Sequence, residues 1–231
     1  MDLFTAIKSR RSIRKFKDEP FPDAKVREAL ELALLAPNSS NMQTWNFYWI
    51  KNPELKKRIS EYCMNQSAAR TANHLIVCVA DPKLWKRARP QILNYLEEIK
   101  APSGVKVYYE KLVPFTYRWG FLNSFAPLKF VLSLAVGLFR PITRGPFTKA
   151  GLQEVASKSV ALACENFMLA ITALGGATCP MEGFDEWRVK RALKLPSSAR
   201  VAMIISVGYE GERATWGPQF RIPSDEVIHI I

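Results

Sequence analysis

The chain has 231 residues, 48% of them hydrophobic, and a formal charge of +12 at pH 7, enough apolar content to bury the core of a single domain. Four widely spaced cysteines (Cys63, Cys78, Cys164, Cys179) without a Cys-x-x-Cys pair argue against zinc and redox-disulfide chemistry, and two histidines (His74, His229) argue against a histidine metal site or triad. The N-terminus lacks a basic stretch followed by an apolar run, so the expected compartment is the cytoplasm.

A helix is expected over about 2–10. An amphipathic helix follows over about 23–36, with Val26, Leu30, Ala33 and Leu34 on one face, closed by Pro37. Residues 45–50 read as a strand, 53–60 open a helix extending to about 66, and 75–80 form a buried apolar strand. Over about 152–174, Val155, Leu162, Phe167, Leu169 and Ile171 supply more apolar surface than one stripe. That helix should be buried, as a central dimer helix would be, and Gly175-Gly176 ends it. Residues 202–207 form another core strand. The tail from Pro218 lacks a pattern that packs alone, which suits an arm wrapped on a partner. Strands separated by helices favour an α+β sandwich.

Three distant stretches carry the chemistry: Arg10-Arg11-Ser12-Ile13-Arg14, Pro180-Met181-Glu182-Gly183-Phe184-Asp185 and Arg221-Ile222-Pro223. Arginines with a serine hydroxyl suit a terminal phosphate, because guanidinium forks make charge-assisted, often bidentate bonds to its oxygens. A glycine after a proline-started turn lets main-chain N–H groups approach a flat ligand. Taken singly, each stretch has a plainer reading as a solvated helix start or an ordinary turn. Their joint occurrence, in this order, carries the weight.

The order and spacing resemble the nitroreductase family of FMN-dependent oxidoreductases over 1–82 and again over 152–231. Arg10 to Phe16 match Arg-Arg-Ser-x-Arg-x-Phe. Residues 36–45 match Ala-Pro-Ser-x-x-Asn-x-Gln-Pro-Trp, except that Asn38 replaces serine and Thr44 replaces proline. The resemblance implies a three-layer α-β-α sandwich with a mixed, mostly antiparallel sheet, assembled as an intertwined homodimer. It implies that Arg10, Arg11, Ser12 and Arg14 hold the FMN phosphate, closed by Arg221. It also implies that the Asn38, Ser39, Ser40, Asn41 and Gln43 loop reaches the flavin of the neighbouring subunit. By the same resemblance, Glu182 and Gly183 bring backbone to the isoalloxazine, Pro180 and Met181 join them as cofactor-binding residues, and Gln66 approaches the pyrimidine edge. Gln219 stands where some relatives have a lysine.

The chemistry implied is the cofactor's. NADH or NADPH reduces FMN, leaves, and is replaced on the same face by an electron-poor acceptor such as a nitroaromatic, a quinone or a hydrophobic substrate, in a ping-pong cycle that needs no catalytic side chain and no metal.

The resemblance fades over 83–150, read as an insert within one domain spanning 1–231. It holds twelve Lys or Arg against three Glu, a net +9, and the apolar run 130–139. Ten helical residues span about 15 Å, half of a bilayer core of about 30 Å, so the run does not cross a membrane. Three uses stay open. The insert is a lid over the flavin, a peripheral membrane or acidic-partner contact through 119–140 acting on a lipid-like substrate, or a helical hairpin buried in the dimer. Nucleic acid is a weaker use, since aromatics interleave with cations there but basic charge alone is a poor guide.

Overall fold

A computed structural model describes all 231 residues. Strands β1 (Trp45–Ile50), β2 (His74–Ala80), β3 (Ala177–Met181) and β4 (Arg200–Gly208) form one sheet in the order β1-β2-β4-β3. Every pairing is antiparallel, so the expectation of a mixed sheet is corrected. The parallel component is one isolated bridge between Ser12 and Thr178. Between β1 and β2, the helices α3 (Pro53–Tyr62) and α4 (Ser67–Thr71) double back through Met64 and Asn65, both at positive φ. The chain thus re-enters the sheet at the end it left, and the next strand runs antiparallel.

The sheet is covered on both faces. Leu75, Val77 and Val79 of β2 pack with Ile59 of α3, Ala68 of α4 and Val189 of α10 (Glu186–Ala192). Ile76, Cys78 and Ala80 point the other way, to Val26 of α2 (Asp23–Ala33) and Val160, Phe167 and Ile171 of α9 (Lys149–Ala173). Such a strand reads as a continuous apolar run because neither face meets water. The helix α1 (Leu3–Ser9) lies against α9. Thr148 caps α9, its hydroxyl accepting from Gly151 N at 3.1 Å. By length and hydropathy alone α9 could cross a membrane, yet 56% of its most apolar window is buried inside the protein, as a core helix requires.

Other expectations shift at their ends. The helix α2 stops at Ala33, three residues before the expected end, and α3 stops at Tyr62 instead of about 66. The strand β3 and the helix α10 were not anticipated. Pro180 made the segment read as a turn, but β3 is an edge strand, where a missing N–H costs no ladder bond. Residues 83–150 are not a two-helix hairpin. They form α5 (Trp85–Glu98), α6 (Ser103–Val107), a π-helical turn (Tyr108–Leu112), α7 (Val113–Tyr117) and α8 (Ala126–Gly137). Trp85, Ile92, Leu96, Val113 and Tyr117 make a separate small core over Met42 and Leu152.

Candidate functional site

The segment after α1 runs along the free edge of β3, where Ile13 N donates to Thr178 O at 2.9 Å. Three further bonds tie it to the chain after β4: Arg14 N to Ala214 O at 2.8 Å, Gly211 N to Lys15 O at 2.9 Å and Lys17 N to Tyr209 O at 3.0 Å. Ile13 and Phe16 are buried in the core, which leaves the intervening polar side chains at the surface. Arg10, Arg11, Ser12 and Arg14 then converge with Pro218, Gln219, Phe220 and Arg221 around a cavity of about 170 Å³. No carboxylate lines it.

The arginines are held in place by the fold. Arg11 Nη2 donates to Gly217 O at 2.6 Å. The Arg14 guanidinium lies over the Trp216 ring, 4.1 Å from its centroid. With its amide oriented to satisfy both neighbours, Gln219 donates to Lys8 O at 3.2 Å and accepts from Arg221 Nη2 at 3.3 Å. Arg10 Nε lies 3.7 Å from Glu165 Oε1 of α9, while Arg10 Nη1 is buried with no partner. Thr178 Oγ1, on the adjoining strand, is also buried and unpartnered. Burial pushes the Cys179 thiol up while Arg14 and Arg10 pull it down, so both cations act on β3. Buried polar groups left unpaired are costly and uncommon, and here they are a donor and a hydroxyl beside a cationic hollow that an anion would satisfy.

At the other end of β3 the chain bends through Glu182 and Gly183. Pro180 belongs to the strand, and Met181 turns its side chain into the core, its Sδ 3.7 Å from Ser206 Oγ. Pro180 is half-buried, and Met181 is buried. Gln66 Nε2 donates to Gly183 O at 2.7 Å, and Gly183 N–H has no acceptor in the chain. A single strand therefore leads from a cationic hollow near Thr178 to an exposed bend with a free main-chain donor. A molecule with an anionic tail and a flat ring fits that layout, and the residues present suit FMN.

The Asn38–Gln43 loop lies elsewhere. None of it lines the arginine cavity. Asn38 Oδ1 accepts from Gln43 N at 2.8 Å, doing inside the loop what a serine hydroxyl could do at that position. Ser40, Asn41 and Gln43 all have positive φ, a strained arrangement that persists only where its surroundings impose it. The insert supplies those surroundings. Arg87 Nη2 donates to Gln43 O at 3.3 Å and Trp45 O at 3.1 Å, and Tyr109 OH donates to Ser40 O at 3.2 Å. Ser39 N donates to Ser159 Oγ of α9 at 3.4 Å. Asn41 and Gln43 line a mainly apolar cavity of about 870 Å³ walled by α2, β1 and α5, with Trp45, Phe47, Ile92 and Tyr95 among its residues.

Sequence reasoning missed Arg87, Tyr109, Trp216 and Thr178. The first two lie in the insert, where the family pattern fades, and Trp216 stands in an aperiodic tail. Only the alternation of Thr178 with Ala177 and Cys179 could have flagged a strand.

The nitroreductase family profile matches residues 7–209. The DrgA protein of Synechocystis is 30% identical over 93% of this chain and 87% of its own length. An NADH dehydrogenase of Thermus thermophilus is 28% identical over 99% of this chain and 95% of its own. Among solved structures, a nitroreductase-type protein of Exiguobacterium sibiricum in complex with FMN superposes with a TM-score of 0.73 at 21% identity, over 100% of this chain and 98% of that one. The fold, the full-length match and the arginine cradle agree: this chain belongs to the nitroreductase family of NAD(P)H-dependent flavin oxidoreductases.

Proposed function

We propose that the hollow formed by Arg10, Arg11, Ser12, Arg14 and Arg221 holds the phosphate of FMN, and that the Glu182-Gly183 bend receives its ring. The convergence of both ends of the chain on one carboxylate-free cavity, with Arg10 Nη1 buried and unpaired, carries this reading. Bound FMN supplies hydride transfer at N5, from NADH or NADPH to an electron-poor acceptor such as a nitroaromatic or quinone, in a ping-pong cycle.

The chain's own residues bind and orient. Arg10 and Arg14 neutralise the anionic tail from the β3 side. Arg221 closes it from the arm, and Gln219 sets the Arg221 fork without adding a charge. Gly183 N–H is free to donate to the ring edge, and Gln66, through Gly183 O, keeps that peptide in orientation. Donors fixed before the ligand arrives stabilise developing negative charge without reorganising.

The working unit in this reading is a homodimer. Leu3, Phe4 and Ile7 of α1 and Leu162 of α9 expose apolar side chains on two helices that touch each other, and the arm from Trp216 onward is exposed throughout. Pairing of two copies through this face covers it and presents the Ser39–Gln43 loop of one to the flavin of the other. The large cavity beside Asn41 and Gln43 suits a planar, hydrophobic acceptor.

The test is direct. Purified protein should be yellow, oxidise NAD(P)H in the presence of a quinone or nitroaromatic, and elute as a dimer. Colourless protein that neither binds added FMN nor oxidises NAD(P)H overturns the proposal.

A further inference from the structure

The helix α8 is inside out. Its buried residues are Lys129 and Ser133, four apart and on one face, whereas Leu128, Phe130, Val131, Leu132 and Leu134 are exposed. Lys129 is anchored inward, its Nζ donating to Thr116 O at 2.8 Å and Arg118 O at 2.6 Å. The apolar surface continues through Phe121, Leu122 and Phe125 before the helix and Leu138 and Phe139 after it. A surface helix of a globular protein ordinarily turns its apolar stripe to the core, and a contiguous exposed patch of this kind marks a contact.

The charge around this patch has one sign. Residues 111–153 contain no Asp or Glu and, besides the inward-anchored Lys129, five cations, Lys111, Arg118, Arg140, Arg144 and Lys149. At the N-terminal end of α8, Phe125 and Arg118 also line a cavity of about 540 Å³ with Lys83, Lys86, Arg89 and Trp119. Lys83, Lys86 and Arg118 form no ion pair in the chain.

Two copies pairing symmetrically through this face would set cations against cations, because such an interface presents the same patch twice. The headgroup boundary of an anionic bilayer meets both halves of the surface, offering phosphates to the cations and acyl chains to the apolar side chains. Twelve helical residues span about 18 Å, too short to cross a hydrocarbon core of about 30 Å, so α8 lies in the interface plane. We propose that α8 and the basic cavity at its N-terminal end dock this protein peripherally on an anionic membrane surface. The inference stands independently of the flavin site.

The experiment is flotation of the full chain with vesicles of phosphatidylglycerol and phosphatidylcholine, against vesicles of phosphatidylcholine alone. The wild type should float with the anionic vesicles, and flotation should collapse on pure phosphatidylcholine and in about 1 M salt, where the Debye length falls to about 3 Å. Lys83→Gln with Lys86→Gln should weaken partitioning about twenty-five-fold, at roughly fivefold per cation. Leu128→Ser with Leu134→Ser should weaken it more than tenfold. All four positions are exposed or line the open cavity, so near-ultraviolet dichroism should match the wild type and confirm folding. Equal flotation on both vesicle types, or none at low salt, overturns the proposal. A serine variant that turns a wild-type dimer into monomers also overturns it, assigning the face to a second copy.

Discussion

Arg14 lays its guanidinium over the indole of Trp216, 4.1 Å from the ring centroid, joining the first motif of the chain to the arm that follows its last strand. The stacked ring fixes the plane of the guanidinium, whose Nη1 donates to Ser12 O at 3.3 Å, and its other N–H groups are left for an anion. Trp216→Ala should therefore weaken FMN binding about twofold to fivefold through loss of a contact worth about 0.5–1 kcal/mol, with little effect on folding. Fluorescence titration of apoprotein with FMN measures it, and an unchanged Kd would remove Trp216 from the site.

Arg14→Ala should cost more. A hydrogen bond to a charged group contributes about 1.5–3 kcal/mol, so flavin affinity should fall roughly tenfold to a hundredfold and the purified protein should lose its colour. Arg14→Lys should recover only part of this, because an ammonium keeps the charge and loses the fork. Full recovery by lysine would reduce the residue to a point charge.

Gly211 sits where the arm meets the arginine segment. A Cβ there would lie 2.9 Å from Lys15 O, a backbone atom with no rotamer to escape into. Gly211→Ala should push the two segments apart, costing about 1–3 kcal/mol of stability as an overpacked site does. It should also weaken FMN binding. Thermal melting with and without FMN separates the two effects.

His74 is a sensor of folding at mildly acidic pH. Its ring is held between Phe21 O, 2.8 Å from Nε2, and Trp49 Nε1, which donates to Nδ1 at 3.3 Å. This is the pattern of a neutral imidazole protonated on Nε2. Burial holds its pKa below the ordinary 6.5 despite the Phe21 carbonyl and Asp23. The unfolded chain therefore binds the proton first, and stability present above about pH 6.5 should be lost as pH falls through that value toward the depressed folded pKa. Urea midpoints across pH 5 to 8 should show the decline, and His74→Gln should flatten it.

The four thiols are free and buried, and desolvation raises Cys63 to about 12 and Cys179 above the ordinary thiol value. Native protein should therefore resist an aromatic disulfide reagent at pH 8, with all four cysteines reacting only on unfolding. Fast labelling of one thiol in the native state would contradict the burial.

Periodicity located β1, β2, β4, α2 and α9 to within a few residues, because burial on one or both faces leaves a regular mark on the chain. It failed at β3, whose Pro180 is tolerated only because the strand is an edge, a fact about neighbours. It failed again at α8, where the run 130–139 announced an apolar helix but not which way that helix would turn. The direction was set by two carbonyls, of Thr116 and Arg118, that capture Lys129.

The residues of the candidate site divide the same way. Arg10 to Arg14, the Asn38–Gln43 loop, Glu182-Gly183 and Arg221 stood out as motifs, through residue types at short spacing that match the family pattern. Residue types alone could not reveal that Arg10 Nη1 is buried without a partner, that Trp216 orients Arg14, or that Arg87 and Tyr109 of the insert grip the loop. Those are contacts between segments far apart in the chain, and pairing across such distances is decided by how the layers pack, which leaves no local signature.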